Sequence, residues 1–249
     1  MKYEGIINPV AAEFVGTEIK RAKDAKAEAL IIELDTPGGL DQSMRIIVKE
    51  IIGSDVPIVV YVYPSGARSA SAGVFITLAS HIAAMTPGTN IGAAHPVALG
   101  GGEMDKEMKK KVENDAAAYI KSIAEKRGRN VKWAEDAVRS SVSVTEKEAL
   151  DLKIIDLVAS NIDDLLVQID GREVVTEGGK KVIRTKDADL VRIEIGLRLR
   201  ILNALSDPNI AYILMIIGIY GLIFELSSPG SILPGVVGGI SLILAFYSF

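Results

Sequence analysis

A short stretch rich in small residues, Ser65 to Phe75, contains the side chain best suited to nucleophilic chemistry. The apolar run before it, Val56 to Tyr63, is short and rich in β-branched residues, which is typical of a buried parallel strand. Gly73 to Ala79 after it is typical of a buried helix. Ser71 would therefore lie at the positive end of a helix dipole, close to free backbone N–H groups. Such a position suits a serine nucleophile.

The alternative is that Ser69 and Ser71 only cap the helix, because serine is a preferred N-cap residue. A second turn upstream favours the chemical interpretation. There the strand-like Ala29 to Asp35 ends in Thr36-Pro37-Gly38-Gly39-Leu40, where the glycines can turn the backbone through positive φ and expose their amides. Taken alone, a Pro-Gly-Gly turn is a common connection between secondary-structure elements and does not indicate a site.

The elements around these turns alternate between strand and helix. The pattern predicts strands at Gly5–Ile7, Ala29–Asp35, Val56–Tyr63 and Ile82–Met85, and helices at Ala11–Ala25, Asp41–Ile52 and Gly73–Ala79. Such alternation predicts a parallel sheet with right-handed crossovers. Because sites in open α/β sheets lie at the carboxyl ends of the strands, we expect the Gly38–Gly39 and Ser71 turns to share one edge.

The chain beyond this unit is predicted to contain more helix and one polar appendage. A glycine-rich loop at Gly100–Gly102 precedes predicted elements at Met104–Arg127 (helix), Val131–Ser140 (helix), Thr145–Glu148 (cap and first turn) and Leu152–Val158 (last element of the α/β unit). Residues 161–185 are polar and β-like, with hairpin signals at Asp170-Gly171 and Gly178-Gly179. Val191 to Leu205 predicts an amphipathic helix, lying on a membrane surface or packed on the domain.

The tail from Pro208 to Phe249 carries, apart from tyrosines and the chain end, Glu225 as its only ionisable side chain. Ile210–Leu226 and Ile232–Phe249 each approach the roughly 17 to 25 apolar residues that cross a bilayer. With a tight turn at 227–230, they predict a transmembrane hairpin. A buried helical hairpin in a soluble protein is the alternative.

Composition limits the function classes. The chain has 249 residues, a net charge of −4, no cysteine and two histidines. The acidic balance argues against nucleic acid as a partner, and the lack of cysteine removes thiol nucleophiles and cysteine-based zinc sites. With His81 and His95 as the only histidines, a histidine-rich metal site is not expected. The amino end predicts no signal peptide, and we expect Met1 to begin an incomplete or processed chain.

The two turns in this order resemble the Clp protease and crotonase superfamily, and specifically the membrane-bound NfeD serine proteases. The resemblance rests on Asp35–Gly39 and Ser69–Gly73 and covers about Gly5 to Val158. It implies an α/β fold of repeated ββα units in a superhelix, followed by a C-terminal transmembrane helical hairpin. The expected domains are a protease domain (1–160), a small β-rich appendage with an amphipathic membrane-surface helix (161–206) and the hairpin (207–249).

The resemblance also implies a catalytic apparatus. Ser71 matches the nucleophile, and the N–H groups of Gly39 and Ala72 match the oxyanion hole, supported by Gly38 and Gly73 in the turns. Lys111 matches the lysine of a Ser-Lys dyad, with Lys110 as its nearest substitute. A lysine that accepts a proton must be neutral, which requires apolar surroundings. On sequence alone, a charged run such as Lys106 and Lys109–Lys111 is usually an ordinary solvated helix face.

Two alternatives remain open at this stage. His95-Pro96 falls where soluble Clp proteases carry their catalytic histidine, so His95 could be the base, with Asp151 or Asp156 as the third member. An imidazole needs less burial than a lysine to act as a base near neutral pH. Outside proteolysis, the chain could be an acyl-CoA-processing crotonase relative or a non-catalytic membrane scaffold that binds stomatin-like proteins.

The resemblance finally implies partners and a location. It implies a hydrophobic peptide substrate, a stomatin-like membrane protein, the lipid bilayer and a homo-oligomer as partners, with no cofactor and no metal. It places the protease domain outside the cytoplasm, whereas Arg192, Arg198 and Arg200 before the first span would favour a cytoplasmic flank.

Overall fold

The computed structural model describes residues 1–97, 105–227 and 232–248. The chain forms two compact units, Met1–Glu194 and Ile195–Phe249. The strands of the first unit are β1 (Lys2–Glu4), β2 (Leu30–Asp35), β3 (Ile58–Val62), β4 (Arg68–Ala70), β5 (Ile82–Met85), β6 (Asn90–Gly92), β7 (Ser143–Thr145), β8 (Leu157–Val158), β9 (Glu173–Thr176) and β10 (Gly179–Val182). Its helices are α1 (Pro9–Asp24), α2 (Asp41–Ile52), α3 (Ala72–Ala79), α4 (Lys106–Arg127), α5 (Val131–Arg139), α6 (Glu146–Asp151) and α7 (Ile162–Ile169).

A parallel sheet with the order β1-β2-β3-β5-β8 forms the centre of this unit. Every residue of β3 is buried, as its continuous apolar sequence predicts. The helix α3 is also buried along its whole length. The predicted helix at Asp41–Ile52 is confirmed residue for residue. The sheet therefore presents the turns after β2 and β3 at one edge.

The first strand lies earlier than predicted. It is Lys2–Glu4 and not Gly5–Ile7, because the chain turns at Gly5, whose φ is 134°, after a last hydrogen bond from Gly5 N to the carbonyl oxygen of Asp35 at 3.0 Å. Ile7 instead pairs with the glycine turn: its N–H donates to Gly38 O at 2.8 Å, and its carbonyl accepts from Leu40 N at 2.8 Å. The segment that was expected to be a strand therefore fixes the Gly38–Gly39 turn.

A second small sheet escaped the sequence analysis. The stretch predicted as a turn contains β4, which pairs in parallel with β6, and β6 pairs antiparallel with β7. Each of these strands has three residues, too few for an alternating pattern to identify. The cap predicted at Thr145 is confirmed, since its side chain and that of Glu148 form a capping box at the start of α6.

Residues 161–194 belong to the first unit, and the segment 161–185 within them is less β-like than predicted. Their first element is the helix α7, and Asp170-Gly171 follows its end without forming a hairpin. The hairpin predicted at Gly178-Gly179 is confirmed as β9–β10. These elements share one apolar cluster with the sheet, formed by Val59, Tyr61, Ile82, Ala84, Leu157, Ala159, Leu165, Ile169, Val174 and Ile183.

The second unit consists of the helices α8 (Leu197–Leu205), α9 (Pro208–Ser227) and α10 (Leu233–Ser248). The amphipathic helix predicted from Val191 begins only at Leu197. Among the described residues, Asn209–Ser227 is the one helix whose length and composition suit a membrane span, and Leu233–Phe246 is a shorter apolar helix. The predicted features at Gly100–Gly102, Ser228–Gly230 and Phe249 lie outside the described residues.

The helices α9 and α10 approach each other closely at glycines. A Cβ atom added to Gly238 would lie 2.9 Å from the carbonyl oxygen of Gly218. One added to Gly221 would lie 2.6 Å from the carbonyl oxygen of Pro234. Small residues at such positions let two apolar helices pack backbone against backbone, as they do inside bilayers.

Candidate active site

Ser71 stands between β4 and α3 in a strained backbone conformation, with φ 52° and ψ −114°. Its N–H donates to the carbonyl oxygen of Gly92 at 3.1 Å, and its own carbonyl accepts from Val74 N at 3.0 Å. Strain of this kind costs on the order of 1–3 kcal/mol and persists only where the surrounding structure enforces it. Its hydroxyl makes no cap hydrogen bond to α3, so the capping alternative is wrong for Ser71.

Ser69, the other serine considered, does not face solvent. It is fully buried, and its hydroxyl lies 2.8 Å from the hydroxyl of Thr77 in α3. This pair ties β4 to the helix that begins just after Ser71. Ser69 therefore supports the turn, and Ser71 presents the accessible hydroxyl.

The glycines flanking Ser71 in space leave no room for a side chain. A Cβ atom on Gly38, whose φ is 119°, would lie 2.5 Å from the Cβ and 2.9 Å from the Oγ of Ser71. One on Gly73 would lie 2.6 Å from Cγ2 of Thr36 and 2.8 Å from the hydroxyl oxygen of Ser69. Both glycines therefore permit the close approach of the two turns.

Two backbone amides beside Ser71 have no acceptor among the residues that the structure describes. Ala72 is the first residue of α3, so its N–H has no partner within the helix. Gly39 is fixed on the other side, where an added Cβ atom would lie 2.1 Å from the carbonyl oxygen of Ile7, and its own N–H is also unpaired. Preorganised donors of this kind stabilise the oxyanion of an acyl-transfer reaction.

These groups line one cleft of about 420 Å³. Its walls are formed by Gly39, Asp41, Met44, Arg45, Ser71, Ala72, Phe75, Ala94, Pro96, Val97, Lys111, Val112, Asp115 and Ala116. The cleft thus brings together four residues singled out from the sequence: Ser71, Gly39, Ala72 and Lys111. Lys111 lies on α4 with its side chain exposed, and its neighbour Lys110 does not line the cleft.

The alternative base, His95, is held differently. Its Nδ1 lies 2.9 Å from the carbonyl oxygen of Val138, and the ring does not line the cleft, although Ala94 and Pro96 do. Asp156, a candidate third member, accepts from Ala83 N at 2.7 Å and pairs with Arg129 at 2.9 Å. Asp151 is exposed at the end of α6. None of these three residues lines the cleft that contains Ser71.

Several cleft residues were missed by the sequence analysis. Arg45 on α2 forms ion pairs with Asp41 and Asp115 and covers the ring of Tyr119. One signal for them existed in the sequence: Lys111, Asp115 and Tyr119 are spaced by four residues and so share one face of α4. The contact of Arg45 with Asp115 left no signal, because the two residues are distant in the sequence.

The described residues contain no group of three or more histidine, aspartate or glutamate side chains that could hold a metal ion. His81, the second histidine, is also not part of the cleft. Its Nδ1 accepts from Ile58 N at 3.0 Å, and Arg127 lies 3.3 Å from its Nε2. Burial, together with the charge of Arg127, lowers the pKa of His81 to about 3. This histidine is therefore a neutral structural group.

Comparison with known proteins places this geometry in a family. The NfeD1b N-terminal domain matches residues 4–174. The chain belongs to the NfeD1b family. The NfeD integral membrane domain matches residues 209–249, which include α9 and α10. The predicted resemblance to NfeD proteins is thereby confirmed.

A curated relative of this NfeD1b protein is the membrane-bound protease PH1510 from Pyrococcus horikoshii. The two are 39% identical over 232 residues, which is 92% of this chain and 52% of the relative. The chain spans about half the length of the curated relatives it matches.

Solved structures support the same fold. A lysine-to-alanine mutant of the 1510-N membrane-bound stomatin-specific protease, in complex with a substrate peptide, has a TM-score of 0.76 at 34% identity and covers 82% of this chain and 94% of that chain. A serine-to-alanine mutant of the same 1510-N protease has a TM-score of 0.73 at 36% identity, and the match covers 78% of this chain and 96% of that chain. ClpP1 from Listeria monocytogenes, at 20% identity and a TM-score of 0.54, covers 66% of this chain and 93% of its own and shares the fold alone. The predicted Clp protease-like α/β fold is confirmed.

Proposed function

We propose that this NfeD1b protein is a membrane-anchored serine endopeptidase with a Ser-Lys dyad. The observation that carries the proposal is the single cleft lined by Ser71, Lys111, Gly39 and Ala72. The relatives add support, since a protease with this fold was solved as a serine mutant and as a lysine mutant, the latter with a substrate peptide.

In the first step, the hydroxyl oxygen of Ser71 attacks the carbonyl carbon of the peptide bond, and its proton passes to the amine of Lys111. The amine accepts this proton only when it is neutral. Lys111 is exposed when no peptide is bound. The bound peptide therefore has to supply the apolar surroundings that favour the neutral amine. The apolar walls of the cleft, which include Met44, Phe75 and Val112, suit a peptide that provides such cover.

The carbonyl oxygen becomes negatively charged as the tetrahedral intermediate forms. The N–H groups of Gly39 and Ala72 are proposed to donate to it, and losing one such donor raises a barrier by about 3 kcal/mol. Lys111 then returns the proton to the leaving amine, and the peptide bond breaks to give an acyl-enzyme on Ser71. Lys111 then takes a proton from water as the water oxygen attacks this ester, and it returns that proton to the Ser71 oxygen as the ester bond breaks, which releases the carboxyl product and restores the hydroxyl.

The proposed substrate is a hydrophobic segment of a stomatin-like membrane protein. The relative named as stomatin-specific supports this assignment, as does the apolar lining of the cleft. We further propose that the protein is a homo-oligomer and that α9 and α10 both cross the bilayer as a hairpin, with the protease domain outside the cytoplasm. Residues 1–160 would act as the protease domain, 161–206 as the segment at the membrane surface and 207–249 as the anchor.

The test is cleavage of a hydrophobic peptide by the wild type and by matched alanine variants in detergent. Ser71→Ala and Lys111→Ala should each lower kcat by at least about 10³-fold, since a nucleophile and its base act as a unit. Lys110→Ala and His95→Ala should retain cleavage within a few-fold. Loss of cleavage in His95→Ala, with Lys111→Ala active, would instead identify a Clp-like triad.

Two binding measurements on the same purified variants could oppose proteolysis altogether. Specific binding of coenzyme A by the wild type, without peptide cleavage, would point to an acyl-CoA-processing enzyme. Binding of a stomatin-like protein that is equal in wild type and Ser71→Ala, again without cleavage, would point to a scaffold.

A further inference from the structure

The first part of α4, which carries Lys111, has little apolar packing of its own. The buried residues of this helix begin only at Ala116, so the turns around Lys111 lack buried side chains. A helix segment with few buried contacts is easily displaced unless polar contacts hold it. The position of the Lys111 amine therefore depends on the groups that fix this segment from outside.

Arg45 supplies two such contacts on the face of α4 that carries Lys111. Its Nη2 donates to the carboxylate of Asp115, one turn after Lys111, and its guanidinium carbon lies 4.4 Å from the ring centroid of Tyr119, two turns after it. Its Nε donates to Asp41 at 2.8 Å, which fixes the guanidinium to the start of α2. Both planar recognition of a carboxylate and stacking on an aromatic ring are properties that arginine combines.

The same contacts reach the nucleophile and the oxyanion turn. The ring of Tyr119 stacks on that of Phe75, with ring centroids 5.9 Å apart. Phe75 belongs to α3 and lies one helical turn after Ser71. Asp41 is the first residue of α2 and is separated from the Gly38–Gly39 turn by Leu40 alone. Arg45 thus contacts α4 directly, and it is linked to α3 through the stacked rings of Tyr119 and Phe75.

We propose that Arg45 is a positioning residue that holds the Lys111 segment of α4 over Ser71. The proposal rests on the proposed function for its catalytic consequence, but the placement of α4 can be measured without any activity. Exposed ion pairs contribute little to stability, and Asp115 is 70% exposed. Loss of Arg45 should therefore disturb the site without unfolding the protein.

The geometry can be tested by the distance between two spin labels in the full chain in detergent. Because the chain has no cysteine, Glu50→Cys on α2 and Met108→Cys on α4 give a specifically labelled pair at exposed positions. With Arg45 present, we expect one narrow distance distribution by pulsed electron paramagnetic resonance. Arg45→Met should broaden it, and Arg45→Lys should broaden it less.

A matched control is Lys121→Gln, which removes another ion pair of α4, that of Lys121 with Glu135 of α5 at 3.0 Å. This variant should leave the label distances unchanged. If Arg45→Met is poorly folded, Asp115→Asn breaks the same ion pair from the other side and should also broaden the distribution. A distribution that stays narrow in folded Arg45→Met and in Asp115→Asn would overturn the proposal.

The kinetic readout is the division of the effect between kcat and KM. A displacement of about 1 Å can cost on the order of 10²-fold in rate, so Arg45→Met should lower kcat roughly 10- to 100-fold with a smaller change in KM. A raised KM with unchanged label distances would mean that Arg45 binds substrate instead, and would overturn the positioning role. If Ser71→Ala and Lys111→Ala cleave normally, the proposed function fails while the label distances still decide the role of Arg45.

Discussion

At the scale of single residues, Gly38 and Gly66 both have positive φ, but only Gly38 faces the proposed nucleophile. A Cβ atom on Gly38 would meet Ser71 at 2.5 Å, whereas one on Gly66 would meet nothing within 4 Å. Alanine at Gly66 should cost about 1–2 kcal/mol of stability, because an L side chain disfavours this backbone region, and alanine at Gly38 should cost more, because its Cβ atom would also clash with Ser71. Gly38→Ala should in addition lower kcat by roughly 10²-fold, since it displaces the hydroxyl of Ser71.

Peptide cleavage and thermal unfolding, measured on both variants, separate these two effects. The fluorescence of Trp133, which is the single tryptophan and is buried in the first unit, reports unfolding there. Gly66→Ala is the control for backbone strain and should retain a kcat near that of the wild type. Equal losses of kcat in the two variants would mean that the close approach of Gly38 to Ser71 has no catalytic role.

At the scale of elements, His81 links the start of β3 to the end of α4. It accepts the N–H of Ile58 and lies against Arg127, and its pKa is lowered to about 3. In the unfolded chain histidine titrates near pH 6.5, so between pH 6.5 and 3 the unfolded state binds more protons. The stability contributed by neutral His81 is therefore complete above pH 6.5 and is lost as the pH falls toward 3. At pH 5 the loss should be about 2 kcal/mol.

This prediction is checked by thermal unfolding at pH 7.5 and pH 5.0, again followed by Trp133. His81→Asn keeps an acceptor for the N–H of Ile58 but cannot be protonated, so it should show a smaller difference between the two pH values than the wild type. His95→Asn removes the other histidine and should keep the wild-type difference. The same pH dependence in His81→Asn and wild type would assign the effect to other groups.

The elements also explain what the sequence could reveal. The continuously apolar β3 and α3 were predicted because burial dictates their composition, and α2 was predicted because its apolar residues recur at helical spacing. The three-residue strands β4, β6 and β7 were not, because they are defined by pairing with distant segments. The helix α7 was missed because Asp170-Gly171, its end, has the composition of a hairpin turn.

In the candidate site, too, the features set by local sequence could be predicted, and those set by contacts between distant segments could not. Ser71, Gly39 and Ala72 were found because turn chemistry and a family resemblance are both local in the sequence. The contact of Arg45 with Asp115 could not be found, since it depends on how α2 and α4 pack. The role of Ile7 in holding the glycine turn was hidden for the same reason.

At the scale of the whole molecule, the proposed chemistry and the membrane segment belong to different compact units. Every proposed catalytic residue lies in Met1–Glu194, and the helices that match the integral membrane domain lie in Ile195–Phe249. Removing residues 195–249 should therefore leave cleavage of a soluble hydrophobic peptide within about 3-fold of the full chain. Cleavage of a substrate embedded in liposomes to which the full chain is anchored should fall by at least about 10-fold, because anchoring raises the effective concentration of enzyme at the bilayer.

Both substrates can be followed with equal amounts of full and shortened chain, after flotation of the liposomes to measure membrane binding. The shortened chain should remain in the aqueous fraction, and Trp133 fluorescence should verify that it is folded. Ser71→Ala in the full chain supplies the background for both substrates. If the folded, shortened chain fails to cleave the soluble peptide, the second unit contributes to catalysis itself, and its role extends beyond that of an anchor.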